Sequence, residues 1–199
     1  MRVEPGSVTV CVDGSPVTPE AKVYLALHKP RGIVCTSKDP QGRPTILSLL
    51  PGITQRVYTI GRLDQNSEGL VLVTNDGDLA QMVTHPSCHV PKVYHVWVNK
   101  PLPGGKLDRM KRGMTLEGEK MRMLNIESLE RTPRYTLYEV TLGEGKKRQI
   151  RRMFEASGER VRRLKRESVG SVQLGDLGPS QFRPLTEGEV HGLYAEAKA

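Results

Sequence analysis

Two short apolar runs on either side of a polar segment constrain the fold more than any other part of this chain. The runs, residues 57–60 and 70–74, have the length and composition of buried strands, and the segment between them contains Asp64. A carboxylate beside a core is costly unless it is paired or takes part in chemistry. The pattern therefore predicts a strand–loop–strand unit that holds Asp64, either as a turn-capping or arginine-paired acid or as a catalytic one.

The composition excludes several classes of protein. Of the 199 residues, 37% are hydrophobic and 26% are charged, as is typical of a folded globular protein. The chain has no run of about 18 apolar residues, which excludes a transmembrane helix, and its N-terminus lacks the apolar core of a signal peptide. The three cysteines contain no C-x-x-C pair, which favours reduced thiols and a cytoplasmic location.

Positive charge is concentrated in one segment. The net charge is +8, and residues 146–166, with ten lysines or arginines and two glutamates, hold all of this excess. A concentration of this kind is typical of a protein that binds a polyanion such as nucleic acid, although a solvated helix face has a similar pattern.

The order of strand and helix patterns predicts an α+β fold rather than a doubly wound sheet. Strands are predicted at 24–27, 57–60, 70–74, 93–98, 120–129, 134–142, 160–164 and 171–174. Helices are predicted at 45–50, 78–84, 106–112, 147–156 and 185–194, with Asp76 as a cap of the second. We expect residues 1–22 to form a short appendage, with a strand and an Asp-Gly turn at 8–14, and residues 23–199 to form one domain.

Several segments resemble the bacterial ribosomal RNA pseudouridine synthases, in the branch whose members usually begin with a small αL RNA-binding module. They include GRLDQNSEGL (61–70), KVYHV (92–96), GKKRQIRRM (145–153) and LHKPRGIV (27–34). The resemblance implies the pseudouridine synthase fold, a mostly antiparallel mixed sheet with flanking helices around a central RNA-binding cleft, and Asp64 as the catalytic aspartate. The two helices of the αL module are absent before residue 8, and the module is either naturally short or trimmed.

The resemblance and the chemistry of the side chains select two further catalytic candidates. Arg151 is predicted at the margin of the buried stripe of helix 147–156, where an arginine can reach a carboxylate, and the resemblance implies that it pairs with Asp64. Arg148 is predicted on the opposite side of that helix, facing solvent or phosphate. Tyr94 resembles the family tyrosine that lies against the target uracil, where its ring can stack and its hydroxyl can relay a proton.

The remaining candidates are predicted to bind substrate. Leu164 resembles the family position whose apolar side chain packs on the uracil. The basic residues around it are predicted to contact phosphates, and they include Arg162, Arg163, Lys165 and Arg166. Arg62, Leu63 and Lys29 are also predicted to bind substrate, and the turn that contains Lys29 is expected to support the floor of the site and add positive charge.

The resemblance implies that one uridine of ribosomal RNA is isomerised to pseudouridine after the base has left its stack. Because this reaction only rearranges atoms within one nucleotide, we expect no cofactor and no metal. The expected partner is ribosomal RNA or a ribosomal-subunit assembly intermediate, bound by a monomer, and the VPKVYHVWV segment favours 23S RNA. The alternative is a non-catalytic RNA-binding or ribosome-assembly factor, but such a protein gains nothing from an acid that repels phosphate.

Overall fold

A mixed β-sheet forms the centre of the protein. The computed structural model describes residues 11–12, 15–16 and 20–198. Nine strands of this part of the chain form the sheet, whose main path runs in the spatial order β13 (Phe182–Pro184), β3 (Tyr24–Lys29), β5 (Glu68–Thr74), β11 (Arg163–Val169), β6 (Lys92–Val98), β10 (Thr136–Leu142) and β9 (Asn125–Arg131). Beside this path, β4 (Tyr58–Ile60) pairs with β5, and β12 (Val172–Gln173) pairs with β11.

The sheet is mostly antiparallel. Within the described sheet, β5 and β11 are parallel, and the other paired strands are antiparallel. The α-helices are α1 (Gly77–Thr84), α2 (Gly104–Arg112), α3 (Gln149–Ala156) and α4 (Glu187–Glu196), with short 3-10 helices at Ile46–Leu49 and Pro86–Cys88. The predicted α+β fold with a mostly antiparallel mixed sheet is therefore confirmed. In the described part of the chain, no helix combines the length and hydrophobicity that a bilayer span requires.

Two hairpins of the described residues lie outside the main sheet. One pairs β1 (Cys11–Val12) with β2 (Ser15–Pro16), as the sequence predicted for a strand entering a turn. Most of the predicted appendage, including the Asp-Gly turn, lies outside the described residues. The other hairpin pairs β7 (Met114–Leu116) with β8 (Glu119–Met121) and was not predicted.

The sheet divides at β5. One edge of β5 pairs with β3 over residues 69–74, and the other edge pairs first with β11 at Glu68 and Gly69 and then with β4 over residues 72–74. Because a strand has only two edges, β11 and β4 must pair with the same edge of β5, β11 at its start and β4 at its end. Gly69 is required at this point, since its φ is +106° and a Cβ there would overlap the backbone of Arg166.

Both faces of β5 are buried. Val71 and Val73 face one hydrophobic core, and Leu70 and Leu72 face a second. The first core also contains side chains of β6, β10 and α3, namely Val96, Val98, Tyr138, Val140, Ile150, Met153 and Phe154. The second contains side chains at or next to α1 and α4, namely Leu79, Val83, Leu193 and Ala197. The segment that precedes β5, which carries Asp64, therefore joins a strand that is fixed from both sides.

Several predicted element boundaries are wrong. The predicted strand 120–129 is two strands, because residues 122–124 turn away and the Met123 amide bonds to the Met110 carbonyl at 3.0 Å. Residues 160–162 precede β11 rather than form a strand of their own. The predicted helix 45–50 is a single 3-10 turn, and β13 was not predicted.

Asp76 occupies the N-cap position of α1, but its side chain does not cap the helix. The carboxylate is buried and accepts hydrogen bonds from the hydroxyls of Tyr24 and Tyr194, each at 2.7 Å, and from the ammonium of Lys22 at 3.3 Å. Burial alone would raise the pKa of Asp76, but these three donors outweigh it and hold the pKa at about 2. Asp76, which was predicted as a helix cap, therefore links the start of α1 to both β3 and α4 through hydrogen bonds.

Candidate active site

Asp64 lies on the wall of a cleft of about 820 Å³. It belongs to residues 61–67, which we call the GRLD loop and which connect β4 to β5. Its side chain is 38% exposed, so the carboxylate is accessible from the cleft. The Ser67 amide bonds to the Asp64 carbonyl at 3.0 Å, and the Leu63 amide bonds to Sγ of Cys35 at 3.4 Å. The loop is thus held by its own turn and by the neighbouring segment.

Lys29 supports the GRLD loop from beneath. Its side chain is 0% exposed, and Nζ donates to the carbonyls of Ser67 at 2.7 Å, Pro30 at 2.9 Å and Gln65 at 3.4 Å. Burial lowers the pKa of Lys29, while the nearby Cys35, Asp64 and Glu68 favour the charged form. An ammonium with three carbonyl acceptors has no donor left for RNA. The prediction that Lys29 binds substrate is therefore wrong, and the side chain supports the floor of the site.

Arg151 also holds the GRLD loop rather than Asp64 itself. Its Nη2 donates to the Asn66 carbonyl at 3.2 Å and to the Ser67 hydroxyl at 3.3 Å, and its Nη1 donates to the Val161 carbonyl at 3.1 Å. Burial lowers the pKa of Arg151. The predicted direct pair between Arg151 and Asp64 is wrong, because the Nη atoms of the guanidinium bond instead to Asn66, Ser67 and Val161.

Arg148 is the cation beside Asp64. Its Nη1 lies 3.4 Å from Oδ2 of Asp64, and both side chains are partly exposed to the cleft. Arg148 was predicted on the opposite side of helix 147–156, but it lies outside α3, which begins at Gln149, so the helical spacing does not apply to it. Arg148 itself has a φ of +51°, in the left-handed region that a non-glycine residue adopts at a cost of about 1–2 kcal/mol. This conformation is unusual, and strained residues of this kind cluster at functional sites.

Tyr94 and Leu164 give the cleft a partly apolar wall. They lie on adjacent strands, β6 and β11, and both are mostly buried with a face on the cleft. Arg62 and Leu63, which the sequence predicted as substrate-binding residues, also line the cleft. His95 alternates to the other face of β6, where its Nδ1 lies 2.9 Å from Glu167.

The basic segment 146–166 does not form one continuous surface. Lys146, Lys147 and Arg148 line the cleft. Arg152 instead pairs with Glu119 at 2.6 Å and Glu117 at 2.8 Å. The acids that neutralise this part of the segment come from the unpredicted β7–β8 hairpin.

The cations of β11 and its approach lie away from the cleft. Arg166 is 3% exposed, and its Nε donates to the Leu70 carbonyl at 2.6 Å where the sheet divides, so the predicted phosphate contact is wrong. Lys165 pairs with Glu167 at 3.0 Å, and Arg162 donates to Asn99 at 3.0 Å. Lys165 and Arg162 do not line the cleft, so the structure does not bring them together with the other predicted substrate-binding residues. Arg163 pairs with Glu68 and lies 4.6 Å from the centre of the Trp97 ring.

A second segment of the cleft wall was missed in the sequence. Residues 34–36, 38–40 and Arg43 line the cleft together with the GRLD loop. The TSKDPQGR sequence has two cations in a turn-rich stretch, but turn chemistry alone does not indicate a site. Lys38, Arg43 and Arg62 add positive charge to that of residues 146–148. The cleft thus combines an accessible carboxylate, a partly apolar wall and cations from separate segments, which suits a flipped base attached to a polyanion.

Comparisons with known proteins agree with this arrangement. The family model described as RNA pseudouridylate synthase matches residues 23–156. The chain is 38% identical to ribosomal large subunit pseudouridine synthase B of Bacillus subtilis (strain 168), over 96% of this chain and 80% of that protein. It is 36% identical to ribosomal small subunit pseudouridine synthase A of Escherichia coli (strain K12), over 91% and 78%.

A solved structure agrees as well. A crystal structure of a pseudouridylate synthase matches with a TM-score of 0.80 and 32% identity, covering 89% of this chain and 76% of the other. Family, relatives and fold therefore coincide with the GRLD, KVYHV and GKKRQIRRM segments, and the chain belongs to the RNA pseudouridylate synthase family.

Proposed function

We propose that this enzyme isomerises one uridine of ribosomal RNA to pseudouridine, with Asp64 as its catalytic carboxylate. The observation that carries the proposal is the position of Asp64. Of the described residues that line the cleft, Asp39 and Asp64 are the carboxylates, and Asp39 is covered by its own loop. Asp64 is the acid that a substrate in the cleft can reach.

The cleft suits a uridine that has left its stack. The uracil packs against Tyr94 and Leu164, which offsets part of the cost of unstacking, about a few kcal/mol. Cations at Lys147, Arg148 and Arg62 attract the flanking phosphates. This division of roles is typical of proteins that hold single-stranded RNA by stacking and by charge.

The chemistry begins at the ribose. Asp64 acts there as a nucleophile or as a base, and the bond between N1 of the uracil and C1′ breaks. The freed uracil rotates in place, and its C5 forms the new bond to C1′. The proton on C5 is then released, and N1 carries a proton in the product. Tyr94 offers its hydroxyl for proton transfer at C5, while Arg148 orients the carboxylate of Asp64.

Arg151 and Lys29 act indirectly in this proposal. Both bond to the segment that follows Asp64, at Gln65, Asn66 and Ser67, rather than to the carboxylate. A loop fixed at these points holds the reacting group in one place, which lowers the entropic part of the barrier. We therefore assign both residues a positioning role.

We favour 23S RNA, free or in an assembly intermediate, as the substrate of a monomeric cytoplasmic enzyme. The support is the VPKVYHVWV segment, which resembles large-subunit members of the family. The relatives from Bacillus subtilis and Escherichia coli, with 38% and 36% identity, carry names for different subunits, so identity alone does not decide the target.

Release of tritium from carbon-5-labelled uridine tests the function, with 23S and 16S transcripts assayed separately. The proposal predicts release from 23S RNA that stops near one equivalent per transcript. Binding of both transcripts without release from either would support the alternative, a non-catalytic RNA-binding or ribosome-assembly factor. Release from 16S RNA alone would overturn the choice of subunit.

A further inference from the structure

A second acid, Asp39, lies in the wall of the cationic cleft, where an unshielded acid would repel RNA. It belongs to residues 35–44, which we call the cleft loop. The base of this loop is closed, because Val34 pairs with Thr45, the Val34 amide bonds to the Pro44 carbonyl at 3.1 Å, and the Ile46 amide bonds to the Val34 carbonyl at 2.9 Å. The loop is thus a fixed part of the wall.

The carboxylate of Asp39 faces its own loop. Oδ2 accepts from the amides of Arg43 at 2.9 Å and Gln41 at 3.2 Å, and from Nε of Arg43 at 3.1 Å. Oδ1 accepts from Nη2 of Arg43 at 2.6 Å. The side chain is only 3% exposed, and the hydrogen bonds from Arg43 hold the pKa of Asp39 at about 2. Asp39 is therefore ionised and turned away from the substrate.

The same bonds fix the direction of Arg43. A fork through Nε and Nη2 leaves Nη1 on the side away from the carboxylate. Arg43 lines the cleft and its side chain is 40% exposed, so this free edge is accessible. An arginine held in one rotamer loses less conformational entropy when it binds a ligand than a free one does.

We infer that Asp39 is a positioning residue that aims Arg43 at a phosphate of the bound RNA strand. The inference rests on the proposed function, since it supposes an RNA substrate in the cleft. Lys38 of the same loop and Lys147 and Arg148 of the segment before α3 line the cleft as well. Arg43 adds to their general attraction a contact with a fixed direction, which selects the path of the strand next to the target uridine.

Charge and positioning predict opposite effects for Asp39→Asn. Removal of an acid from the cleft adds one positive charge, so attraction alone would tighten RNA binding. Loss of the fork would instead release Arg43 and weaken binding. The sign of the change therefore separates a positioning residue from a charge that merely lies nearby.

The experiment measures the KM and kcat of tritium release on the 23S transcript, with RNA affinity measured by filter binding. Asp39→Asn is expected to raise KM and the dissociation constant about five- to tenfold, as for loss of one charge-assisted hydrogen bond, with kcat within about twofold. Arg43→Lys, which keeps the charge but not the fork, is expected to behave in the same way, and the double variant to be no worse than either single one.

Glu189→Gln is the matched control. Glu189 holds Arg183 in a similar two-bond fork, at 2.7 and 2.8 Å, on an element that does not line the cleft. The Glu189→Gln substitution changes the net charge by the same amount as Asp39→Asn, and we expect it to cause no rise in KM. If wild-type protein is active and Asp39→Asn binds RNA as tightly as Glu189→Gln, or lowers kcat without changing KM, the inference is wrong while the proposed function stands. Absence of both binding and release in the wild type would overturn both.

Discussion

The two acids on either side of β5 have opposite environments. Asp64, four residues before the strand, is 38% exposed on a cleft and has one guanidinium 3.4 Å from its carboxylate. Asp76, two residues after the strand, is buried and receives three hydrogen bonds from Tyr24, Tyr194 and Lys22. A carboxylate whose lone pairs are occupied is a structural element, whereas one that is held in place and left accessible can react. The strand between them gives both a fixed position.

The supports of the GRLD loop give the largest expected loss of stability. Arg151→Ala removes a guanidinium that binds three acceptors in two segments, the Asn66 carbonyl, the Ser67 hydroxyl and the Val161 carbonyl. We expect a loss of about 3 kcal/mol in the free energy of unfolding, measured by urea denaturation, and a fall in kcat. Unchanged stability with normal turnover would show that Arg151 does not hold the loop.

Asp76→Asn tests the structural acid. The amide keeps the shape of the side chain but replaces the charged carboxylate that accepts hydrogen bonds from Tyr24, Tyr194 and Lys22. We therefore expect a loss of about 2 kcal/mol in the free energy of unfolding. Tritium release at a temperature well below the melting point should stay near the wild-type rate. Loss of catalysis without loss of stability would remove the distinction between the two acids.

The loss of stability at low pH also tests whether Asp76 is a structural acid. The pKa of Asp76 is about 2 in the folded protein, below its ordinary value of 3.8. Its contribution to stability is therefore present above about pH 4 and is lost as the pH falls toward 2, a change of about 2 kcal/mol. Urea titrations from pH 5 to pH 2 should show this loss in the wild type and less of it in Asp76→Asn. Parallel curves for the two proteins would contradict the assignment.

Arg148→Ala has the smallest expected effect on stability. The pair with Asp64 is partly exposed, and such pairs contribute about 1 kcal/mol or less. Position 148 has a left-handed backbone conformation, which alanine tolerates no better than arginine does. We therefore expect a change of less than about 1 kcal/mol in the free energy of unfolding. The effect should appear in kcat instead. A loss of stability as large as that of Arg151→Ala would show that the two arginines have similar roles.

The sequence predicted those features that depend on neighbouring residues. The apolar runs around the GRLD loop placed Asp64 between β4 and β5, and the strand predicted at 93–98 placed Tyr94 on β6. The family resemblance, carried by contiguous motifs, correctly gave the fold and the family.

The errors arose where a residue's role depends on distant parts of the chain. Arg152 and Arg163 are neutralised by Glu119 and Glu68, which lie 33 and 95 residues away. Arg166 is buried because the sheet divides at β5, a consequence of strand pairing that no local pattern records. Arg148 takes the place beside Asp64 that was predicted for Arg151, because Arg148 precedes α3 instead of lying within it, and predicted helix starts are off by a residue or two.

Single-turnover tritium release by Asp64→Asn on the 23S transcript tests the central claim most directly, with RNA binding and thermal unfolding measured on the same preparation. Asparagine keeps the shape of the side chain and removes the reactive charge. We expect wild-type RNA binding, a change of less than about 1 kcal/mol in the free energy of unfolding and no detectable release of tritium. Release within about a hundredfold of the wild-type rate, after deamidation is excluded by mass spectrometry, would contradict the assignment of Asp64 as the catalytic carboxylate.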